Sequence, residues 1–151
     1  MGDTIGSFNE YRQDLEITAR LAAADPKNTG WQRDLSVSHR KFGHQLQTAG
    51  NTDRALTEYR QSLEIAERLA ASDPKNTEWQ RGLSNSYDSV GHVLIATGDI
   101  VGALTEFRLA LEVAERLAAS DPKNTEWQRG LSISHGALRL RRPDAGPPFP
   151  A

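Results

Sequence analysis

The chain has 151 residues and no cysteine, and it carries 18 Lys and Arg against 20 Asp and Glu. The lack of cysteine excludes disulfides, thiolate metal sites and cysteine nucleophiles, and a net charge of -2 provides no basic field for nucleic acid or anionic lipid. Because no segment approaches the ~20 apolar residues of a membrane span and no signal peptide opens the chain, we expect a cytoplasmic protein that binds neither nucleic acid nor membrane.

A repeat of 48 residues organises the sequence. Residues 73–84 recur unchanged at 121–132, and with two differences at 25–36. Residues 55–72 return at 103–120 with 14 of 18 positions identical. A period of this length is typical of solenoids, in which each unit packs only against its neighbours.

The predicted elements follow from this period. The chain opens with a helix that matches the second helix of a unit, and each full unit then contains two helices. In the second full unit, Thr77 and Gln80 predict a capping box at the start of the first helix. Gly98 is the expected left-handed stop, Asp99 is the expected cap of the second helix, and Pro122 follows its end.

We therefore predict an all-α fold, an α-solenoid of antiparallel helix pairs with about six helices. The predicted array covers residues 1–140 and divides into a half repeat at 2–24, full repeats at 25–72 and 73–120, and a half repeat at 121–140. The prolines and the glycine beyond it predict a disordered Pro-rich tail over residues 141–151.

Residues at fixed places in each unit resemble a known family. The pattern is a small and a large apolar residue in the first helix, a loop glycine, and a small, an aromatic and a small residue in the second. These places hold Gly91, Leu94, Gly98, Ala103, Phe107 and Ala110, and one period earlier Gly43, Leu46, Gly50, Ala55, Tyr59 and Ser62. The pattern resembles the tetratricopeptide repeat family, in the lengthened bacterial form similar to kinesin-light-chain-type repeats. The 48-residue unit is about 14 residues longer than the ~34 usual for that family.

The resemblance implies a right-handed superhelix whose first helices line a concave groove that binds peptides. The first helices are also where the two full units differ most in sequence. The candidate partner-binding residues on that face are Arg40, Lys41, His44, Gln47, Asn85, Asp88, His92 and Ile95. We expect a scaffold that binds a peptide or a partner helix of another protein there; the alternative interpretation is that these side chains are simply solvated.

Catalytic and metal-binding constellations are missing from the sequence. His39 has a counterpart in His135, but the copy between them has Tyr87, so this position is interpreted as a packing position. His44 and His92 occupy equivalent places without a carboxylate or thiolate shell for a metal ion. We therefore predict a noncatalytic protein with no cofactor and no metal.

The half repeats at the two ends permit a second function. Residues 3–24 and 125–140 are complementary halves of one unit, so one chain could dock on another and form a homo-oligomer, either a ring or a filament. The apolar residues expected to be exposed and to drive this contact are Leu15, Ile17, Leu21 and Leu131. A further interpretation is that the chain is a fragment of a longer array.

Overall fold

The computed structural model describes residues 2–139, and the side chains of residues 6–139. Over this part of the chain six helices follow one another, joined by short turns, with no strand. They are α1 (Gly2–Ala24), α2 (Thr29–Thr48), α3 (Thr52–Ser72), α4 (Thr77–Ala96), α5 (Ile100–Ser120) and α6 (Thr125–Arg139). The predicted all-α stack of six helices is confirmed. The predicted tail over residues 141–151 lies outside the described residues.

Each helix packs against its neighbours in the chain. In the pair formed by α2 and α3, the Tyr59 hydroxyl donates to Gln47 Oε1 at 3.0 Å, near the turn that joins the helices. At the other end of the pair, the Ser36 hydroxyl donates to the Ser62 carbonyl oxygen, also at 3.0 Å. The two helices are therefore antiparallel, and the same hydroxyl-to-carbonyl bond recurs 48 residues later between α4 and α5.

The helices form two rows. We call α2, α4 and α6 the first helices, and α1, α3 and α5 the second helices. Within residues 2–139, α2 and α4 are the only helices not consecutive in the chain whose backbones contact each other, and α4 and α6 do not.

One glycine faces one aromatic ring in each full unit. A Cβ atom at Gly43 would lie 3.1 Å from ring carbons of Tyr59, and a Cβ atom at Gly91 would lie 2.8 Å from the ring of Phe107. Both rings are buried. The paired helices can approach this closely only because glycine has no side chain, which explains why the motif repeats at this place.

Asparagines, not capping boxes, begin the first helices. The Trp79 backbone N–H donates to Asn76 Oδ1 at 3.1 Å, and the counterparts of Asn76 one period earlier and later accept the equivalent bond. Thr77 is already the first helical residue, and the Gln80 side chain donates to the Ala70 carbonyl oxygen at 3.3 Å. The predicted capping box is therefore wrong, because Asn76 has the extended backbone of an N-cap, with φ -73° and ψ 102°.

The other helix boundaries match the prediction. Gly50 and Gly98 have φ values of +81° and +85°, the left-handed conformation that ends a helix at low cost for glycine. Asp99 Oδ1 accepts a hydrogen bond from the Gly102 backbone N–H at 2.8 Å, so Asp99 caps α5. Helix α5 ends at Ser120, just before the Asp-Pro step.

Candidate partner-binding surface

A crevice lies between each two successive first helices. The α2–α4 crevice has a volume of about 100 Å³ and the α4–α6 crevice about 380 Å³. Every residue that lines the α4–α6 crevice has its counterpart 48 residues earlier in the lining of the α2–α4 crevice. Four of these pairs are Arg33 and Arg81, Arg40 and Asp88, Glu78 and Glu126, and Trp79 and Trp127. The repeat therefore builds the same surface feature twice.

An ion pair joins the first helices across each crevice. Arg33 Nη2 lies 2.7 Å from Glu78 Oε1, and Arg81 Nη1 lies 3.3 Å from Glu126 Oε1. All four side chains are about half exposed or more, so each pair contributes at most ~1 kcal/mol to stability. They add a contact between the two sides of each crevice.

The two crevices differ at three of their shared lining positions, where Val37, Arg40 and Asn85 of the smaller crevice correspond to Asn85, Asp88 and Ile133 of the larger one. Arg40 is half-buried in the smaller crevice and Asp88 is half-buried in the larger one. Among the described residues, none forms a hydrogen bond or an ion pair with the Asp88 carboxylate. Burial raises the pKa of Asp88 to about 6.

Apolar side chains complete the wall of the α4–α6 crevice. Ile133 of α6 is 61% exposed, an unusual degree of exposure for isoleucine. Trp127 is half-buried. It packs against the core and also lines the crevice. The α4–α6 crevice thus combines an unpaired carboxylate with an exposed apolar wall.

Three of the eight predicted partner-binding residues line the crevices. Arg40 lies in the α2–α4 crevice, Asp88 lies in the α4–α6 crevice, and Asn85 contributes to both. Lys41 and His44 are exposed on α2 but line neither crevice.

The other three predicted residues face the paired second helix or the core. Gln47 accepts the hydrogen bond from Tyr59. The ring of His92 is 5.1 Å from that of Phe107, centroid to centroid, in an edge-on arrangement. Ile95 is half-buried and packs against the core. Gln47 and Ile95 therefore contribute first to packing within the unit, whereas His92 is exposed as well as in contact with the ring.

Several lining residues are not among the predicted ones. They include Arg33, Arg81, Glu126, Trp127 and Ile133. Arg33 lies seven residues before Arg40, or about two helical turns, and so shares its face; that spacing is a signal that could have found it. Most of these residues lie in the segment that is nearly identical in every unit. The predicted residues are chosen where the units differ, so that segment is not considered.

The four residues predicted to drive self-association differ in exposure. Ile17 is 52% exposed and Leu21 is 40% exposed. Leu15 is half-buried against the core, because it lies on the side of α1 that packs on α2, and Leu131 is also half-buried. The expectation of exposure is therefore wrong for Leu15 and Leu131, and the exposed apolar surface of α1 is smaller than expected.

One histidine joins two helices. His39 Nδ1 lies 2.7 Å from Glu58 Oε2, with both side chains largely buried, so α2 and α3 are joined by a polar contact at this place. Over residues 6–139, no group of three or more His, Cys, Asp or Glu side chains is arranged to hold a metal ion.

Fold and surface together define an all-α protein of stacked helix pairs with repeated crevices along one row of helices. The sequence matches no protein-family model and no curated protein. The resemblance to tetratricopeptide repeats thus depends on the glycine, alanine and aromatic positions of the unit. Within residues 2–139, no helix has the length and hydropathy needed to span a membrane.

Proposed function

We propose that the protein is a noncatalytic interaction scaffold that binds an extended peptide segment or a helix of a partner protein along its first helices. The observation that supports this proposal is the recurrence of one crevice, with the same lining positions, at a 48-residue period. A surface with regular geometry and with different side chains at three positions of each crevice is suited to contacting successive side chains of a linear partner.

The dimensions of such a surface fit an extended partner. Packed helices lie ~8–10 Å apart. A partner segment in the polyproline II conformation has three residues per turn and advances ~3.1 Å per residue, so its side chains three positions apart lie ~9 Å apart on one face and could enter consecutive crevices. Because Arg40 lines one crevice and Asp88 the other, the two side chains of the partner that enter them would need opposite charges.

Charge reversal in the crevices tests the proposal. Peptides are first selected from a random library on the intact protein, and their affinities are then measured by fluorescence anisotropy. Arg40→Glu and Asp88→Lys should each weaken binding about tenfold or more, because each places a like charge against its ligand group. Lys41→Glu is the matched control, since Lys41 is exposed outside both crevices, and it should change affinity less than about twofold. Equal affinities for all three variants would contradict the proposal.

Self-assembly is the second candidate function. It is favoured by the exposure of Ile17 and Leu21 on α1. One steric feature opposes docking in the register that joins helices within the chain. Arg139 of α6 corresponds to Gly91 one period earlier, and Tyr11 of α1 corresponds to Phe107. If α6 docked on α1 of a second copy as α4 packs on α5, the Arg139 side chain would lie against the Tyr11 ring, where the repeat has a glycine.

Light scattering across about a hundredfold dilution separates the two candidates. Self-assembly predicts a mass that falls on dilution, and a monomeric mass for Ile17→Glu at every concentration. Val101→Glu is the control, because Val101 is an exposed apolar residue on another helix. A monomeric mass for the unchanged protein at every concentration would exclude self-assembly as the function.

A further inference from the structure

The α4–α6 crevice differs from its counterpart in having room for a ligand group. Its volume of about 380 Å³ falls within the ~300–1,000 Å³ of ordinary ligand pockets, whereas the counterpart of about 100 Å³ is too small. Equivalent positions of the repeat therefore form one narrow crevice and one crevice that is large enough for a ligand group. The inference below concerns the larger one.

The charged groups around this crevice come from two helices. Helix α4 supplies Arg81 and Asp88, and α6 supplies Glu126 and Arg129. Arg81 pairs with Glu126 at 3.3 Å, so their charges offset each other. Helix α5 contributes only apolar side chains to the lining. Asp88 and Arg129 are left as the two charges that no described ion pair neutralises.

These two charges are not equivalent. Arg129 is exposed and hydrated, so an anion would gain little by pairing with it. Asp88 is half-buried, has lost part of its hydration, and has no hydrogen-bond or ion-pair partner among the described residues. A cation that reached the Asp88 carboxylate would replace the lost hydration with a charge-assisted hydrogen bond. The crevice is thus better prepared for a cation than for an anion.

The apolar wall limits the kind of cation further. Trp127 and the exposed Ile133 lie in the lining together with Asp88. The side chains of Lys and Arg have an aliphatic stem that packs on apolar surface and a charged head that stays with a polar partner. Their head groups also interact favourably with an indole ring. A neutral apolar side chain would leave Asp88 without a partner, and an acidic one would repel it.

We infer that the α4–α6 crevice binds a basic side chain of the partner segment, with the Asp88 carboxylate as counter-ion and with Trp127 and Ile133 against the aliphatic stem. This inference rests on the proposed function, since it assigns the chemistry of the partner at one crevice of the surface proposed to bind it.

Nuclear magnetic resonance with a small probe tests this inference on the full chain. N-acetylargininamide should shift the indole N–H resonance of Trp127 in a saturable way. Trp79 in the smaller crevice is an internal control and should stay unchanged. N-acetylcitrullinamide has nearly the same shape without the charge, and it should bind at least about tenfold more weakly.

Two variants complete the test. Asp88→Asn should abolish the preference for the charged probe, whereas Asp53→Asn, the same change at an exposed position of α3, should keep it. The affinity of the unchanged protein should fall about tenfold per pH unit below pH 6, because Asp88 must lose its proton to bind the cation; Asp88→Asn should lose this dependence. Equal binding of the two probes, equal shifts at Trp79 and Trp127, or unchanged selectivity in Asp88→Asn would overturn the inference.

The failure of this inference can be told apart from the failure of the proposed function. Library peptides that bind the first helices, but keep their affinity when each Arg is replaced by citrulline, would overturn the inference and leave the scaffold function intact. If no library peptide binds the first helices, the proposed function fails, and the inference fails with it.

Discussion

Asp88 carries a cost to stability while the crevice is empty. Its pKa is raised from 3.8 to about 6 by burial, so the folded state holds the proton more tightly than the unfolded state. Above pH 6 the ionised carboxylate therefore lowers the free energy of unfolding. As pH falls from 6 towards 3.8, protonation relieves this effect, and stability from this group rises.

We expect Asp88→Asn to raise the free energy of unfolding by about 1 kcal/mol at pH 7.5, since the carboxylate keeps some contact with solvent. The gain should shrink towards pH 4, where Asp88 is protonated as well. Urea denaturation at several pH values measures it, with Asp53→Asn as the exposed control. A loss of stability at pH 7.5 in Asp88→Asn alone would show that the carboxylate has a favourable contact in the free protein.

A second carboxylate shows why the repeat alone does not predict contacts. Glu58 Oε2 lies 2.7 Å from His39 Nδ1. In the next unit the equivalent of Glu58 is Glu106, and the equivalent of His39 is Tyr87. The Tyr87 hydroxyl donates instead to Glu67 at 2.9 Å. Glu106 Oε2 is buried without a hydrogen-bond partner in the described structure, and burial raises the pKa of Glu106. One substitution thus changes the environment of a side chain on another helix, which the sequence pattern of one helix does not show.

At the scale of the helices, the glycine that faces each aromatic ring sets how closely a pair can pack. Gly91→Ala should lower the free energy of unfolding by about 2 kcal/mol, because its Cβ would lie 2.8 Å from Phe107. Gly82→Ala, in the same helix with nothing within 4 Å of the added Cβ, should instead raise it by about 0.5–1 kcal/mol. Urea denaturation of the two variants measures the difference. Equal effects would show that helix propensity, and not the ring contact, determines the cost.

The helices and their order could be predicted from the sequence, because apolar spacing and stop residues such as Gly98 act locally. The cap was missed by one residue, since Asn76 and Thr77 are both good N-cap residues and the backbone conformation decides between them. The crevices were harder to predict. Their size depends on contacts between segments 48 residues apart, and their rims lie where the units have the same sequence.

At the scale of the whole molecule, stability is distributed unevenly along the stack. The four inner helices, α2 to α5, each pack against a neighbour on both sides, whereas α1 and α6 each pack against one helix within the described part of the chain. In such a stack the stability of a unit is the sum of its own contribution and those of its contacts with neighbours. The terminal helices should therefore open more often than the central ones.

Hydrogen exchange measured by mass spectrometry tests this distribution. Amides of α1 and α6 should exchange faster than those of α2 to α5, because each of the four inner helices has two interfaces with neighbouring helices. Gly91→Ala should speed exchange in α4 and α5 more than in α1, since the weakened contact lies between those two helices. A single exchange rate for all six helices would instead indicate one fully cooperative unit.

The turn that links successive units also has a consequence for growth of the stack. Its Asp-Pro-Lys-Asn sequence, its capping bond and the glutamine bond to the preceding helix are the same at every junction. A tandem copy of residues 73–120 inserted at this turn would therefore meet the same contacts on both sides. The protein can be lengthened by whole units without redesign of its junctions. Each added unit would bring one more crevice, whose charge is then set by substitution at a single position.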